Sequence, residues 1–384
     1  MNFSPALTNH GNFNDMPLSQ QSTLAELCFD IPRPKSTKTT KKLTKVELVE
    51  AYTESRVKFS KSKLKNIEQD HQILLNVMAL IPFEDLNELD RSCAENIRNA
   101  LHFYPKNAKK ISMFEGLEGF DLIFANQSLE NRHECISITT VKGYIHKFSS
   151  LLNWAKSHNY IYENVFHRLP TLTNKHIKKR FPFNSQELDE IFSMEEYRSH
   201  NYLHPYYYWL PLLLRYTGAR MNEICQAREE DITDIDGVAC ITFQEKNHDQ
   251  SIKNLSSVRT IPLHNELIDK GILSFVQSRK GKRLFPELPL VNGYFSTNAS
   301  KWFKRRRDKL GLCQGKDGHS FRHTFINELK QKGVSKEAIE CIVGHAHNSQ
   351  SFDTYSEQYE PKLLLDLINL IDSSHTSSIK PYFL

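Results

Sequence analysis

From residue 44 to about residue 170 the apolar positions recur at three- and four-residue steps, the spacing of one helical face, and no glycine-rich hairpin interrupts them. Thr44 and Glu47 stand in capping-box spacing ahead of Leu48 and Tyr52, which predicts a helix opening there. Ile73, Leu74, Val77, Met78 and Ile81 fall on one face and stop at Pro82. The clearest helix runs from about Thr140 to His158, where Val141, Tyr144, Ile145, Phe148, Leu151, Leu152 and Ala155 line a single stripe.

After residue 184 the pattern is mixed. Asn184 and Glu187 have the spacing to cap a new helix, and residues 202–216 are apolar and aromatic enough for a buried one. A further helix is expected from Arg220 to Arg228. Asp236–Gly237 then separates two β-prone runs, a tight-turn dipeptide that predicts a hairpin. Val258 to Leu263 is a third strand candidate, reached through a longer loop that holds Lys253. Residues 298–310, 320–332, 335–343 and 361–372 read as helices, with Gly344 placed as a C-terminal stop. In the last of these Leu363, Leu364, Leu367, Ile368 and Ile371 share a face, which suits a helix that gains order by docking. The fold class expected is mainly α with a small antiparallel β-sheet (α+β).

The segment between these patterns, PTLTNKHIKKRFPF, has two prolines and a basic cluster, so the division expected is a linker at 171–183 between a helical domain at 44–170 and a second domain at 184–384. Residues 1–43 are rich in Asn, Ser, Thr and Pro and read as a flexible arm with a basic end. From Arg33 to Lys65 there are eleven Lys or Arg against three Glu, which reads either as a solvated face or as a phosphate-seeking arm.

Composition narrows the class. The chain has 384 residues, 39% hydrophobic, which is enough for real cores, and a net charge of +5, too mild to indicate nucleic acid by itself. Its seven cysteines are odd in number and none has metal-knuckle spacing, which fits reduced thiols in a cytosolic protein. The first thirty residues lack a basic start followed by an apolar run, and no stretch has the roughly 20 apolar residues of a membrane span, so neither a secretory signal nor a membrane partner is expected.

Three short segments carry candidate chemistry: TGARMNE at 217–223, GHSFRHTF at 318–325 and VGHAHNSQSFDTY at 343–355, with Lys253 between the first two. Arg220 and Arg322 can each make forked hydrogen bonds to phosphate oxygens. His319 and His345 can exchange protons near neutral pH. Lys253 sits on a loop from which it could reach a leaving oxygen, and the Tyr355 hydroxyl is a possible nucleophile. No Asp/Glu cluster offers a hard-cation site, which speaks against a two-metal nuclease. Each residue alone is ordinary: Tyr355 is one of 15 tyrosines, with Tyr359 four residues on, and Lys246 offers itself beside Lys253. His319, His323, His345 and His347 together leave a zinc site open, although no cysteine or carboxylate completes an obvious ligand set.

Taken in order, Arg220, Lys253 in a hairpin loop, His319-x-x-Arg322, Gly344-His345 and Tyr355 resemble the tyrosine recombinase or phage integrase family. The resemblance covers about residues 184–372 and extends more weakly to 140–158, which resembles that family's core-binding domain. It implies two domains closing as a clamp on duplex DNA. Arg220 and Arg322 would clamp the scissile phosphate, and His345 would hydrogen-bond it. Lys253 would protonate the departing 5′ oxygen, and His319 would help take the tyrosine proton. Tyr355 would be joined to the 3′ phosphate, and Glu223 would orient a guanidinium from behind. No cofactor or metal is implied. The partners implied are double-stranded recombination sites, a homotetramer in the synapse and an accessory directionality or DNA-bending protein, in the nucleoid of a cell's cytoplasm, for a phage or other mobile element. Family members also pass a terminal helix to a neighbour, so the 361–372 helix has two possible homes. The sequence departs from the pattern in two places: Tyr355 lies ten residues after His345 where nine is commonest, and Phe321 replaces a leucine. The rival outputs are a type IB topoisomerase-like relaxing activity and a non-catalytic DNA-binding regulator.

Overall fold

The structure is a computed structural model that describes residues 43–60, 62, 64–172, 180–312, 315–345 and 359–383. The chain divides into two compact units between Asn174 and Lys175.

The first unit is helical throughout its described residues: α1 (Lys45–Phe59), α2 (Leu64–Met78), α3 (Arg91–Leu101), α4 (Gly119–Gln127) and α5 (Ile138–Ser157). Its ends are set by local chemistry. Thr44 Oγ1 accepts the Glu47 N–H at 3.2 Å and the Glu47 carboxylate accepts the Thr44 N–H at 2.8 Å, the reciprocal box read from the sequence. Asp90 caps α3 through the Cys93 N–H, and Ser137 caps α5 through the Thr140 N–H, so α5 opens two residues before the expected Thr140. Of the predicted stripe on α5, Val141, Ile145, Phe148, Leu151, Leu152 and Ala155 are buried and Tyr144 is half-buried, packed against Leu74, Val77 and Met78 of α2 in one core. Phe148 and Phe166 meet edge to face, and Leu169 closes this core. Arg98 donates to the Pro170 carbonyl, which fixes the chain's exit.

The second unit opens with α6 (Ser185–Phe192), capped by Asn184 and Glu187 as expected, followed by α7 (Glu195–Ser199), α8 (Pro205–Thr217) and α9 (Met221–Gln226). The sheet follows: β1 (Ile232–Ile235), β2 (Val238–Phe243) and β3 (Arg259–Pro262), antiparallel in the order β1-β2-β3. Ile235 pairs with Val238 across Asp236 (φ 52°) and Gly237 (φ 79°), the two left-handed positions of a two-residue turn that suits the strands' twist. The remaining helices are α10 (Asn265–Asp269), α11 (Ile272–Gln277), α12 (Ser296–Lys309), α13 (Ser320–Gln331), α14 (Lys336–Val343) and α15 (Pro361–Ile368). Trp209, Tyr208 and Tyr216 of α8, Trp302 of α12, and Phe321 and Phe325 of α13 are fully buried in a single core. Among the described residues no helix is long and apolar enough to cross a membrane.

Two expectations change. The linker predicted at 171–183 ends inside the second unit. Phe183 is buried, donates its N–H to Thr324 Oγ1 at 2.8 Å and packs its ring on Phe321, and Arg180 pairs with Asp317 at 3.2 Å. The predicted helix at 361–372 stops at Ile368, and it docks on its own chain, against β2 and β3. Leu364, Ile368 and Ile371 are buried there, while Leu363 is exposed. The residues after it continue the core. Arg215 donates to the Asp372 carbonyl at 2.9 Å, Tyr216 and Thr376 share a hydrogen bond, and Tyr382 lies among Tyr208, Trp209 and Phe275.

Candidate active site: an arginine cluster around Glu223

All four described arginine and histidine candidates lie in the second unit, where two glycines shape the backbone that carries them. Helix α8 ends at Gly218, in the left-handed region at φ 59°. A Cβ there would come within 2.6 Å of the Phe325 ring, so only glycine lets the chain turn against α13. The turn delivers Arg220 to the start of α9. Its N–H donates to Glu223 Oε2 at 2.9 Å, and its Nη1 donates to Glu223 Oε1 at 2.6 Å and to Ser257 Oγ at 3.0 Å. Glu223 is buried. Burial alone would raise its pKa, but Arg259 and then Arg220 outweigh that and hold it below the usual carboxylate value, so it is an anion.

Arg322, on the first turn of α13, is 1% exposed. Its Nη1 donates to the Gly218 carbonyl at 3.0 Å, whereas its Nη2 is buried with no partner among the described residues. Burial first, then the positive charge of Arg220 and Arg259, lowers its pKa to about 9. A guanidinium held this deep without its own counterion is costly, and an incoming anion would relieve the cost.

His319 precedes Arg322 by three residues, and its N–H donates to Asp317 Oδ1 at 2.8 Å. Burial, then His323, Arg322 and Arg180, push the imidazole down to about 4, so at neutral pH it is uncharged and able to accept a proton. His323 meets it edge to face with ring centroids 5.0 Å apart. Among the described residues no group of three His, Cys, Asp or Glu side chains is poised to hold a metal ion. His345 follows Gly344, which ends α14 in the left-handed region at φ 68°. Its imidazole is also lowered, by burial first and then by Arg322 and Arg220.

Lys253 lies on the loop between β2 and β3, is exposed, and makes no hydrogen bond or ion pair among the described residues. Its rival Lys246 is held by Glu230 at 2.7 Å. Tyr355 lies outside the described residues; Tyr359 stands near the head of α15, 37% exposed. One residue of the cluster was missed in the sequence. Arg259, on β3, is 7% exposed and donates to Glu223 Oε2 at 2.9 Å. Its signal was its phase: it alternates with Ile261 and Leu263, both buried, so it points inward. Two guanidiniums therefore bond a single carboxylate, and the charge of both is felt by Arg322, an arrangement with surplus positive charge able to receive an anion such as a phosphodiester.

Residues 183–360 match the model of the Phage integrase family. The chain is 24% identical over 213 residues to a tyrosine recombinase of Thermosipho africanus, a match covering 55% of this chain and 69% of that protein. It is 28% identical to a tyrosine recombinase of Pseudothermotoga lettingae, over 46% of this chain and 57% of that protein. It is also 26% identical to transposase A from transposon Tn554 of Staphylococcus aureus, over 38% of this chain and 42% of the transposase. Among solved structures, the Tn1549 transposon integrase in complex with circular intermediate DNA has a TM-score of 0.54 at 18% identity, covering 82% of this chain and 96% of that one. A lambda integrase dimer bound to a core site has a TM-score of 0.54 at 16% identity, covering 89% and 88%. At such identities these two show the fold. The family match coincides with the unit that holds the arginine cluster, and in this unit the chain is similar to the tyrosine recombinases.

Proposed function

We propose that the protein is a site-specific DNA recombinase or integrase of a phage or other mobile element, which cleaves and rejoins strands through a 3′-phosphotyrosyl intermediate. The observation that carries this reading is the buried Nη2 of Arg322, which has no partner among the described residues, with the charge of Arg220 and Arg259 close to it. In the reaction, Tyr355 Oη bonds to phosphorus and the bond from phosphorus to the 5′ oxygen breaks. The tyrosine proton passes to His319, uncharged at neutral pH, and the departing 5′ oxygen takes a proton from Lys253. Arg220, Arg322 and His345 hold the non-bridging oxygens, whose charge grows in the transition state. The phosphotyrosine conserves the bond energy, so a 5′ hydroxyl from another strand can reseal it without ATP. Lys253 is preferred to Lys246 because Lys246 is tied to Glu230.

The rest of the molecule fits that chemistry. Residues 44–170 serve as the core-binding domain on duplex DNA, with 184–384 as the catalytic domain and the basic-ended arm at 1–43 adding phosphate contacts. The working unit is a homotetramer on two sites, assisted by a DNA-bending or directionality protein, in the nucleoid. A lambda integrase tetramer bound to a Holliday junction has a TM-score of 0.52 with this chain, which supports the assembly.

The test begins with a duplex selected from a randomised pool by its retention on the protein. A nick beside the cleavage position should trap the protein covalently on a 3′ end. Tyr355→Phe should abolish trapping and Tyr359→Phe should not. Trapping that survives Tyr355→Phe would overturn the nucleophile, and relaxation of plasmid without any paired-site product would favour a topoisomerase.

A further inference from the structure

Arg259 has no place in the chemistry above, yet its guanidinium makes three hydrogen bonds within the cluster, as many as the side chain of Arg220. Its three nitrogens reach three different pieces of chain. Nη2 donates to Glu223 Oε2 at 2.9 Å, and Glu223 in turn holds Arg220 at 2.6 Å. Nη1 donates to the Ser257 carbonyl at 2.9 Å, in the turn whose hydroxyl also receives Arg220. Nε donates to the Ile342 carbonyl at 2.7 Å, in the last turn of α14, three residues before His345. Carbonyls at a helix C-terminus lack partners within the helix and favour a cation, so this bond anchors the end of α14.

Two further features are fitted to this guanidinium. Phe243, its cross-strand partner in the β2–β3 register, lies under it with the ring centroid 4.4 Å from Cζ. Gly344 lies against its side chain. A Cβ there would sit 3.0 Å from Arg259 Nη1 and 3.1 Å from Cδ, so the residue before His345 is small where Arg259 needs the room.

We propose that Arg259 is a positioning residue for strand cleavage, which ties Glu223 to the end of α14 and so fixes Arg220 and His345 relative to each other. The inference rests on the reading of Arg220 and His345 as phosphate-holding groups. It adds that their spacing is supported by this planar fork, beside the direct contact from Arg220 Nη2 to the Gly344 carbonyl at 3.5 Å. An ammonium group could keep the charge beside Glu223 but cannot aim three N–H bonds in one plane at three separate acceptors.

The experiment compares the full chain with Arg259→Lys and Arg259→Ala on the duplex selected above, measuring equilibrium binding, single-turnover trapping and thermal unfolding. Arg259→Lys should bind as the unchanged protein does and trap about 10- to 100-fold more slowly, the range seen when an orienting partner behind a functional group is lost. Millimolar methylguanidine should restore part of the trapping rate of Arg259→Ala, because it can refill the vacated fork, and should do nothing for Arg220→Ala beyond its own effect on binding. Unchanged trapping in Arg259→Lys would overturn the inference. So would losses of trapping that follow loss of fold with no recovery by methylguanidine, since Arg259 would then be only a buried strut. Absence of trapping in the unchanged protein would instead remove the reading of the site on which the inference stands.

Discussion

Arg215 and Arg322 are buried in the same unit, 0% and 1% exposed, and their surroundings differ in one respect. Arg215 has a counterion: its Nη1 meets Glu328 at 2.7 Å while its Nη2 donates to the Asp372 carbonyl. Its charge is cancelled locally, and the pair clamps the chain after α15 onto α8 and α13. Among the described residues each also has one buried nitrogen without a partner, Nε in Arg215 and Nη2 in Arg322, but Arg322 has only the Gly218 carbonyl as an acceptor, and burial first, then Arg220 and Arg259, depresses its pKa to about 9. A buried cation that is closed by an anion holds structure. One left open among like charges is strained in the free protein and relieved by a ligand. The difference between scaffold and site here is the counterion, not the depth.

The comparison can be broken most directly by removing each arginine. Arg322→Ala or Arg220→Ala should slow trapping about 100- to 1,000-fold, the loss expected when one donor to a developing charge is removed, while duplex binding, spread over many phosphate contacts, stays largely intact. Arg215→Met should behave oppositely. It leaves Glu328 without its cation and should cost about 3 kcal/mol of unfolding free energy in denaturant titrations, with trapping per folded molecule preserved. Arg322→Met should not destabilise at all, because it removes an uncompensated charge. Equal destabilisation by the two methionine variants would erase the distinction.

Anions sharpen it at a smaller scale. Inorganic phosphate or sulfate should raise the unfolding temperature of the DNA-free protein and fail to do so in Arg322→Ala. At ten times its dissociation constant a ligand contributes about 1.4 kcal/mol, or roughly 3–5 °C for a domain of this size. An equal response in both proteins would mean that the anion binds elsewhere.

The same contrast explains what the sequence disclosed. Elements fixed by neighbours in the chain were legible: the Thr44–Glu47 and Asn184–Glu187 caps, the Asp236–Gly237 turn, the Gly344 stop. These depend on groups within a few residues of each other. Phe183 was read as linker because nothing local distinguishes a phenylalanine between prolines and basic residues from one that inserts beside Phe321. The end of α15 was placed too late because the partners of Asp372 and Thr376 are Arg215 and Tyr216, more than 150 positions earlier. Among the candidate site residues, Arg220, His319, Arg322 and His345 were picked out by order and spacing, and the roles proposed for them come from the family resemblance. Arg259 was passed over because its partners, Glu223 and Ile342, are 36 and 83 residues away.

The smallest effect expected is a pH dependence of stability arising from the histidines of the site. His319 has an ordinary value of 6.5 and is held at about 4 in the folded protein, chiefly by burial. Between those two values the unfolded chain binds a proton there that the folded protein does not, so acidification through this window favours unfolding. His323 and His345 are lowered for the same first reason and act with the same sign. Glu223 also loses its contribution in acid. Its folded value lies below the ordinary 4.5, so the stability it supplies is complete above that value and is lost only as the pH falls further. The interval from 6.5 to 4.5 therefore reports the imidazoles, and the carboxylate enters below it. In DNA-free protein the unfolding temperature should fall steadily across that interval, and His319→Gln, which cannot take up the proton in either state, should flatten the slope. A slope unchanged by His319→Gln would mean that the imidazole titrates normally in the folded protein. The imidazole would then be a stronger base near neutral pH than one held at about 4, and the stability change on acidification would have to come from the other lowered imidazoles.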